Sequence, residues 1–69
     1  MNHVAKIIEV VGTSDRRIEN AIQGAISRAS EIIQGLQWFQ VTELRGAISY
    51  QKIDRYQVML KIGFGLNDD

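Results

Sequence analysis

Apolar residues along this chain follow two different periods, and the change between them outlines a fold. From Val4 to Val11 the residues are mostly β-branched and the run closes at Gly12, which predicts a strand. Val4, Ile8 and Val10 fall on one face and Ala5, Ile7 and Val11 on the other, so parts of both faces are expected to be buried. Gly12-Thr13-Ser14-Asp15 predicts a turn into a helix. Ser14 is the expected N-cap, because its hydroxyl can accept a hydrogen bond from a free N–H of the first turn. Asp15 places negative charge where the helix dipole is positive. Ile18, Ile22, Ala25, Ala29, Ile32 and Ile33 then recur mostly at steps of three and four, which marks one apolar stripe of an amphipathic helix. Gly24 interrupts the pattern, and its expected use is close packing against a neighbour. Gly35 stands where a left-handed, helix-ending residue is wanted. The expected helix is about twenty residues, or roughly 30 Å.

Past Leu36 the period becomes two. Phe39, Val41 and Glu43 alternate with Trp38, Gln40, Thr42 and Leu44, and the strand is expected to continue through Ile48, with a bulge or bend at Gly46. Gln51–Asp54 is the expected turn. The last strand has the cleanest pattern: Tyr56, Val58, Leu60, Ile62, Phe64 and Leu66 fill one face, Gln57, Met59, Lys61, Gly63 and Gly65 the other. The order is βαββ, an α+β domain with a three-stranded antiparallel sheet and one long helix packed on one face. A helical crossover returns the second strand parallel to the first, a hairpin reverses the third, and the best-patterned strand takes the middle. The far face of that sheet, with Trp38, Gln57 and Met59, has no cover from its own chain.

Length sharpens this picture. The 69 residues make one domain, spanning residues 1–69. A chain so short buries only about 60% of the surface its unfolded form exposes. Such domains rely on disulfides, a metal or partner subunits. The absence of cysteine removes disulfides and thiolate metal sites, and the single histidine, His3, removes a multi-histidine metal site within one chain. Self-association remains, and the two open edges of a three-stranded sheet point the same way. Eight basic and eight acidic residues cancel, so nothing in the charge balance suggests nucleic acid or an anionic membrane as partner. The longest apolar run, Val58-Met59-Leu60, is far short of a membrane span. The N-terminus does not read as a signal peptide, and the expected location is the cytoplasm. The tail over 67–69 is expected to fray.

Catalytic patterns are sparse. His3 reads as a surface residue, and Gly63-Phe64-Gly65 lacks the following helix that a phosphate cradle requires. No enzyme activity is expected. Trp38, the only tryptophan, is either an interface anchor or a stacking platform on the uncovered face. Gln57 is either a solvated strand residue or a group whose donors and acceptor suit a ligand edge carrying both.

Four segments in register resemble one family. Val10-Val11-Gly12-Thr13-Ser14, Ala21-Ile22-Gln23-Gly24, Leu36-x-Trp38-Phe39-x-Val41 with Arg45-Gly46, and Tyr56-Gln57-Val58 with Gly63-Phe64 are together similar to bacterial dodecins. The resemblance covers nearly the whole chain and implies a hollow homododecamer that stores flavin and quenches its photochemistry. It implies that tryptophans of neighbouring subunits sandwich stacked flavins, with Trp38 on the ring, Gln57 at its polar edge and Arg45 near the pocket. FMN is the implied flavin, with riboflavin or lumichrome as competitors, and some relatives also bind coenzyme A. The chain departs from many relatives at Gln37, where they carry an acid, and at Gly65, where they carry an arginine. The competing readings are a structural oligomer without flavin and a coenzyme A-binding oligomer.

Overall fold

The computed structural model of the chain describes residues 3–66, so the fraying expected over 67–69 lies outside the described residues. Strand β1 (Ala5–Ser14) leads to helix α1 (Ile18–Ser30), then strands β2 (Leu36–Ser49) and β3 (Lys52–Gly65). The sheet order is β1-β3-β2, with β3 antiparallel to both neighbours. The α+β class, the βαββ order and the central place of the last strand are as the hydrophobic pattern predicts.

The core forms where α1 lies across β1 and β3. Val58, Leu60 and Ile62 of β3 are buried beneath Ala21, Ala25 and Ala29 of the helix, and Ile8, Val10, Ile22, Ile26 and Leu36 pack around them. The helical stripe is centred on small residues at steps of four, one of which, Ala21, the expected stripe omitted. Small side chains let the helix axis approach the sheet. Gly12 of β1 completes this seat: a Cβ there would lie 2.9 Å from the carbonyl carbon of Ala21 and 3.1 Å from the Cβ of Ala25. Gly12 is therefore a strand residue under the helix, where a turn was expected, and β1 continues to Ser14 opposite Tyr56. Gly24, by contrast, is exposed and a side chain there would meet nothing within 4 Å, so close packing belongs to Gly12 instead.

Four other expectations are corrected. The helix is 13 residues, about 20 Å, and not twenty. After Ser30 the chain tightens, with Glu31 N–H donating to Arg28 O and Ile32 N–H to Ala29 O, and Ile32 is exposed. Gly35 does adopt a positive φ of 78°, but in the connection that follows rather than at the helix end. Ser14 does not cap the helix. Its Oγ accepts from the N–H of Arg16 (3.1 Å) and of Arg17 (3.4 Å), closing the turn ahead of α1, while Arg17 itself holds the extended N-cap position without a side-chain bond. The hairpin turn is Tyr50-Gln51, not Gln51–Asp54, because both residues adopt left-handed backbone (φ 53° and 69°) and Ser49 already pairs with Lys52. Positive φ at both central positions is the requirement of a type I′ turn, whose twist matches that of the strands. Neither residue is the glycine or asparagine that would signal such a turn.

The helix covers mainly β1 and β3, so β2 is left bare on both faces. On the helix side Phe39, Val41 and Leu44 are exposed, and beyond the end of β1 the hairpin carries exposed Ile48, Tyr50 and Ile53.

Candidate functional site

The face of the sheet away from the helix is organised in cross-strand rows. Residues directly opposite one another in antiparallel strands point to the same side, so the rows follow from register: Ile7–Gly63–Trp38, Glu9–Lys61–Gln40, Val11–Met59–Glu43 and Thr13–Gln57–Arg45. Trp38 and Arg45 are seven positions apart, an odd number, and in an unbroken strand they would face opposite ways. A register shift between Val41 and Glu43 brings them to one face. Thr42 is the extra residue of this bulge, and its Oγ1 donates to the carbonyl of Met59 at 3.1 Å, tying the irregularity to the central strand. Two more register shifts lie along β2, between Leu36 and Trp38 and between Ala47 and Ile48, the latter just past Gly46, where a bulge or bend was expected. Gly46 also allows a close approach: a Cβ there would lie 2.5 Å from the carbonyl oxygen of Arg55 across the hairpin.

Trp38 lies on the open face and keeps 43% of its surface exposed. Its indole lies over Gly63: a Cβ at that position would be 2.6 Å from Nε1 and closer still to Cε2 and Cζ2. One side of the ring thus rests on the backbone of β3, and the rest remains open. A small cavity of about 130 Å³ opens at the start of β2, lined mainly by helix-side residues: Ile26, Leu36, Phe39 and Ile62, with Gln37 and Trp38.

Arg45 and Gln57 form a pair on the same face. Arg45 Nε donates to Gln57 Oε1 at 2.7 Å. That bond fixes the amide orientation and turns the Gln57 NH₂ group outward as a donor, beside the remaining guanidinium N–H groups. The chain does not bring this pair to Trp38. Gly63 and Gln57, their respective partners, are six residues apart on β3, which is about 20 Å at a strand rise of roughly 3.3 Å per residue. One planar ring stacked on Trp38 cannot reach the Arg45–Gln57 pair of its own chain. Position 65 lies on the same face beyond Trp38, and there Gln37 Nε2 sits 3.4 Å from where a Cβ would begin. His3 is exposed, and no group of three His, Cys, Asp or Glu among the described residues stands ready for a metal ion. No helix among the described residues is long and apolar enough to cross a membrane.

A helix-backed βαββ sheet with an aromatic ledge and a separate polar pair on its open face defines a small α+β module. The Dodecin family model matches residues 4–67, and the chain belongs to the dodecin family. A curated dodecin from Thermus thermophilus is 44% identical over 99% of this chain and 99% of its own length. A crystal structure of a Thermus thermophilus protein superposes with a TM-score of 0.91 at 43% identity, covering 99% of this chain and all of the other. The dodecin of Streptomyces coelicolor does so with a TM-score of 0.89 at 41% identity, covering 99% of this chain and 97% of the other.

Proposed function

We propose that this chain binds flavin in a site built by two subunits of a homododecamer, stores it and suppresses its photochemistry without catalysing a reaction. The observation that carries the reading is the division of the open face. Trp38 offers a broad ring seated on Gly63, while the donors suited to a pyrimidine edge, Arg45 and Gln57, sit about 20 Å away along the strand. Both halves serve one ligand when the open faces of two copies meet, so that Trp38 of one subunit approaches the Arg45–Gln57 pair of another.

The residues fit such a ligand chemically. Ring stacking on an aromatic side chain is worth roughly 1–3 kcal/mol, by analogy with nucleobases. The Gln57 amide and the Arg45 guanidinium donate to ring carbonyls, and their mutual bond preorganises both. A bound flavin supplies a chromophore that becomes a strong oxidant when excited. Trp38, in contact with it, supplies the electron-rich indole that returns the excited state to the ground state before oxygen is reached. The bare apolar residues of β2 and of the hairpin tip, which one chain leaves in water, favour the oligomer. FMN is the expected flavin. Gly65 adds no cation beside the ledge, which keeps riboflavin and lumichrome in competition. Coenzyme A is the ligand of an alternative reading of the assembly, and the cytoplasm is the expected location.

A fluorescence titration of FMN, and in parallel of riboflavin, with the native oligomer tests this reading. Saturable quenching that approaches one flavin per chain is the expected result. The Trp38→Ala variant should leave any flavin that still binds fluorescent. A colourless oligomer that quenches neither flavin would replace the proposal with a structural assembly in which Trp38 is an interface anchor. A dark complex formed by Trp38→Ala would remove the indole from the quenching step.

A further inference from the structure

We infer that Gly63 is the positioning residue that holds the Trp38 indole flat against the sheet; its consequence for binding rests on the flavin reading above, but its geometry does not. Glycine weakens the interior of a strand, since it loses more freedom on folding and contributes no side chain to packing. Gly63 nonetheless sits in β3, the strand paired on both sides, opposite Ile7 and Trp38. Its backbone does not require glycine: among the described residues the positive-φ glycine is Gly35, Gly63 runs in regular register with β1, and the register shift beside it toward β2 puts its extra residue, Gln37, on β2. What requires glycine is the ring. Nε1, Cε2 and Cζ2 all crowd the place where a Cβ would stand, and Gly63 is buried although it has nothing of its own to bury. An aromatic ring laid across a strand glycine recovers packing that the glycine lacks.

Gly65 supplies the contrast. It lies on the same face of the same strand, two residues on, yet it is exposed, and a Cβ there would meet only Gln37 at ordinary contact distance. Any side chain at 63 lifts the indole from its seat, whereas a small one at 65 leaves it alone. A ring pinned in this way loses little further freedom when a ligand stacks on it, which is the benefit of preorganisation.

Because Trp38 is the only tryptophan, the indole emission of the flavin-free oligomer reports on this seat directly. Gly63→Ala should raise the accessibility of Trp38 to acrylamide and shift its emission to the red, while Gly65→Ala changes neither. In the FMN titration Gly63→Ala should weaken binding about fivefold or more, the low end of what one ring stack supplies. A folded Gly63→Ala oligomer with native emission and native acrylamide quenching overturns the inference. Should Gly63→Ala prevent assembly, the same substitution is made in a Trp38→Ala background. There it should be neutral or stabilising relative to Trp38→Ala alone, and a further loss of stability would show that the glycine serves something other than the ring. The expected indole response combined with no quenching of FMN or riboflavin by any form, native included, would refute the flavin reading and leave the role of Gly63 intact.

Discussion

Replacing Gly12 with alanine asks whether the helix is seated on bare backbone of β1. The new Cβ would lie 2.9 Å from the carbonyl carbon of Ala21, nearer still to its oxygen, and 3.1 Å from the Cβ of Ala25. A relaxed carbon–oxygen approach is about 3.3–3.6 Å, so the helix must withdraw by well over ~1 Å. A gap of about 0.5–1 Å forfeits a quarter to a half of each dispersion contact. The contacts at stake are those of Ala21, Ala25 and Ala29 with Val58, Leu60 and Ile62, which make up the buried core. Overpacking ordinarily costs about 1–3 kcal/mol. The upper end applies here, because the obstructing atoms are helix backbone and cannot swing aside. A loss of about 3 kcal/mol is a large part of the roughly 5–15 kcal/mol that holds a small domain together. Urea denaturation followed by far-ultraviolet circular dichroism measures it, at several matched protein concentrations because association adds stability by mass action. A loss under about 1 kcal/mol would refute the reasoning, since no close seat would then exist. Gly24→Ala is the companion change: it meets open space and should stabilise by up to about 1 kcal/mol through helix propensity. A loss at that position would instead place another subunit against it.

Two further outcomes follow from backbone geometry. Gln51→Gly relieves a left-handed residue in the hairpin turn; the roughly 1–2 kcal/mol regained exceeds the roughly 0.5–1 kcal/mol of added unfolded-state entropy, so thermal unfolding should occur at higher temperature. Deleting Thr42 removes the bulge without changing which way its neighbours face, because Glu43 then follows Val41 in ordinary alternation opposite Met59. The variant should assemble, keep the native Trp38 emission and lose only about 0.5–1.5 kcal/mol with the Thr42 hydroxyl bond, measured by urea denaturation; a chain that no longer assembles would mean that the bulge itself shapes the interface.

Much of the architecture was legible because it depends on which residues avoid water. Strict alternation from Tyr56 to Leu66 identified the buried face of β3, although Leu66 itself lies past the strand and is exposed, and the βαββ order placed that strand in the middle and left Trp38 on the uncovered side. The polar residues named as candidates, Arg45 and Gln57, do meet each other. Local chemistry was less legible. Ser14 has the character of an N-cap, yet its hydroxyl closes the preceding turn, and Tyr50-Gln51 adopts left-handed geometry without a residue that advertises it. The hairpin's strand pairing imposes that conformation on them.

Periodicity along one strand tells which side is buried, but not which residue of another strand lies opposite. Composition and alternation therefore determined a small α+β domain that leaves apolar surface bare and carries its tryptophan on the open face. Register decided the rest. Only the paired strands reveal that Thr42 is an extra residue turning Arg45 to the side of Trp38, that Gly12 lies under the helix while Gly24 lies under nothing, and that Gly63 lies beneath the indole. The same pairing separates Trp38 from the Arg45–Gln57 pair by a distance that one ring cannot bridge. The physical reason is common to all of these: each is a contact between segments distant in sequence, set by a one-residue choice of alignment that leaves the hydrophobic pattern of either segment unchanged.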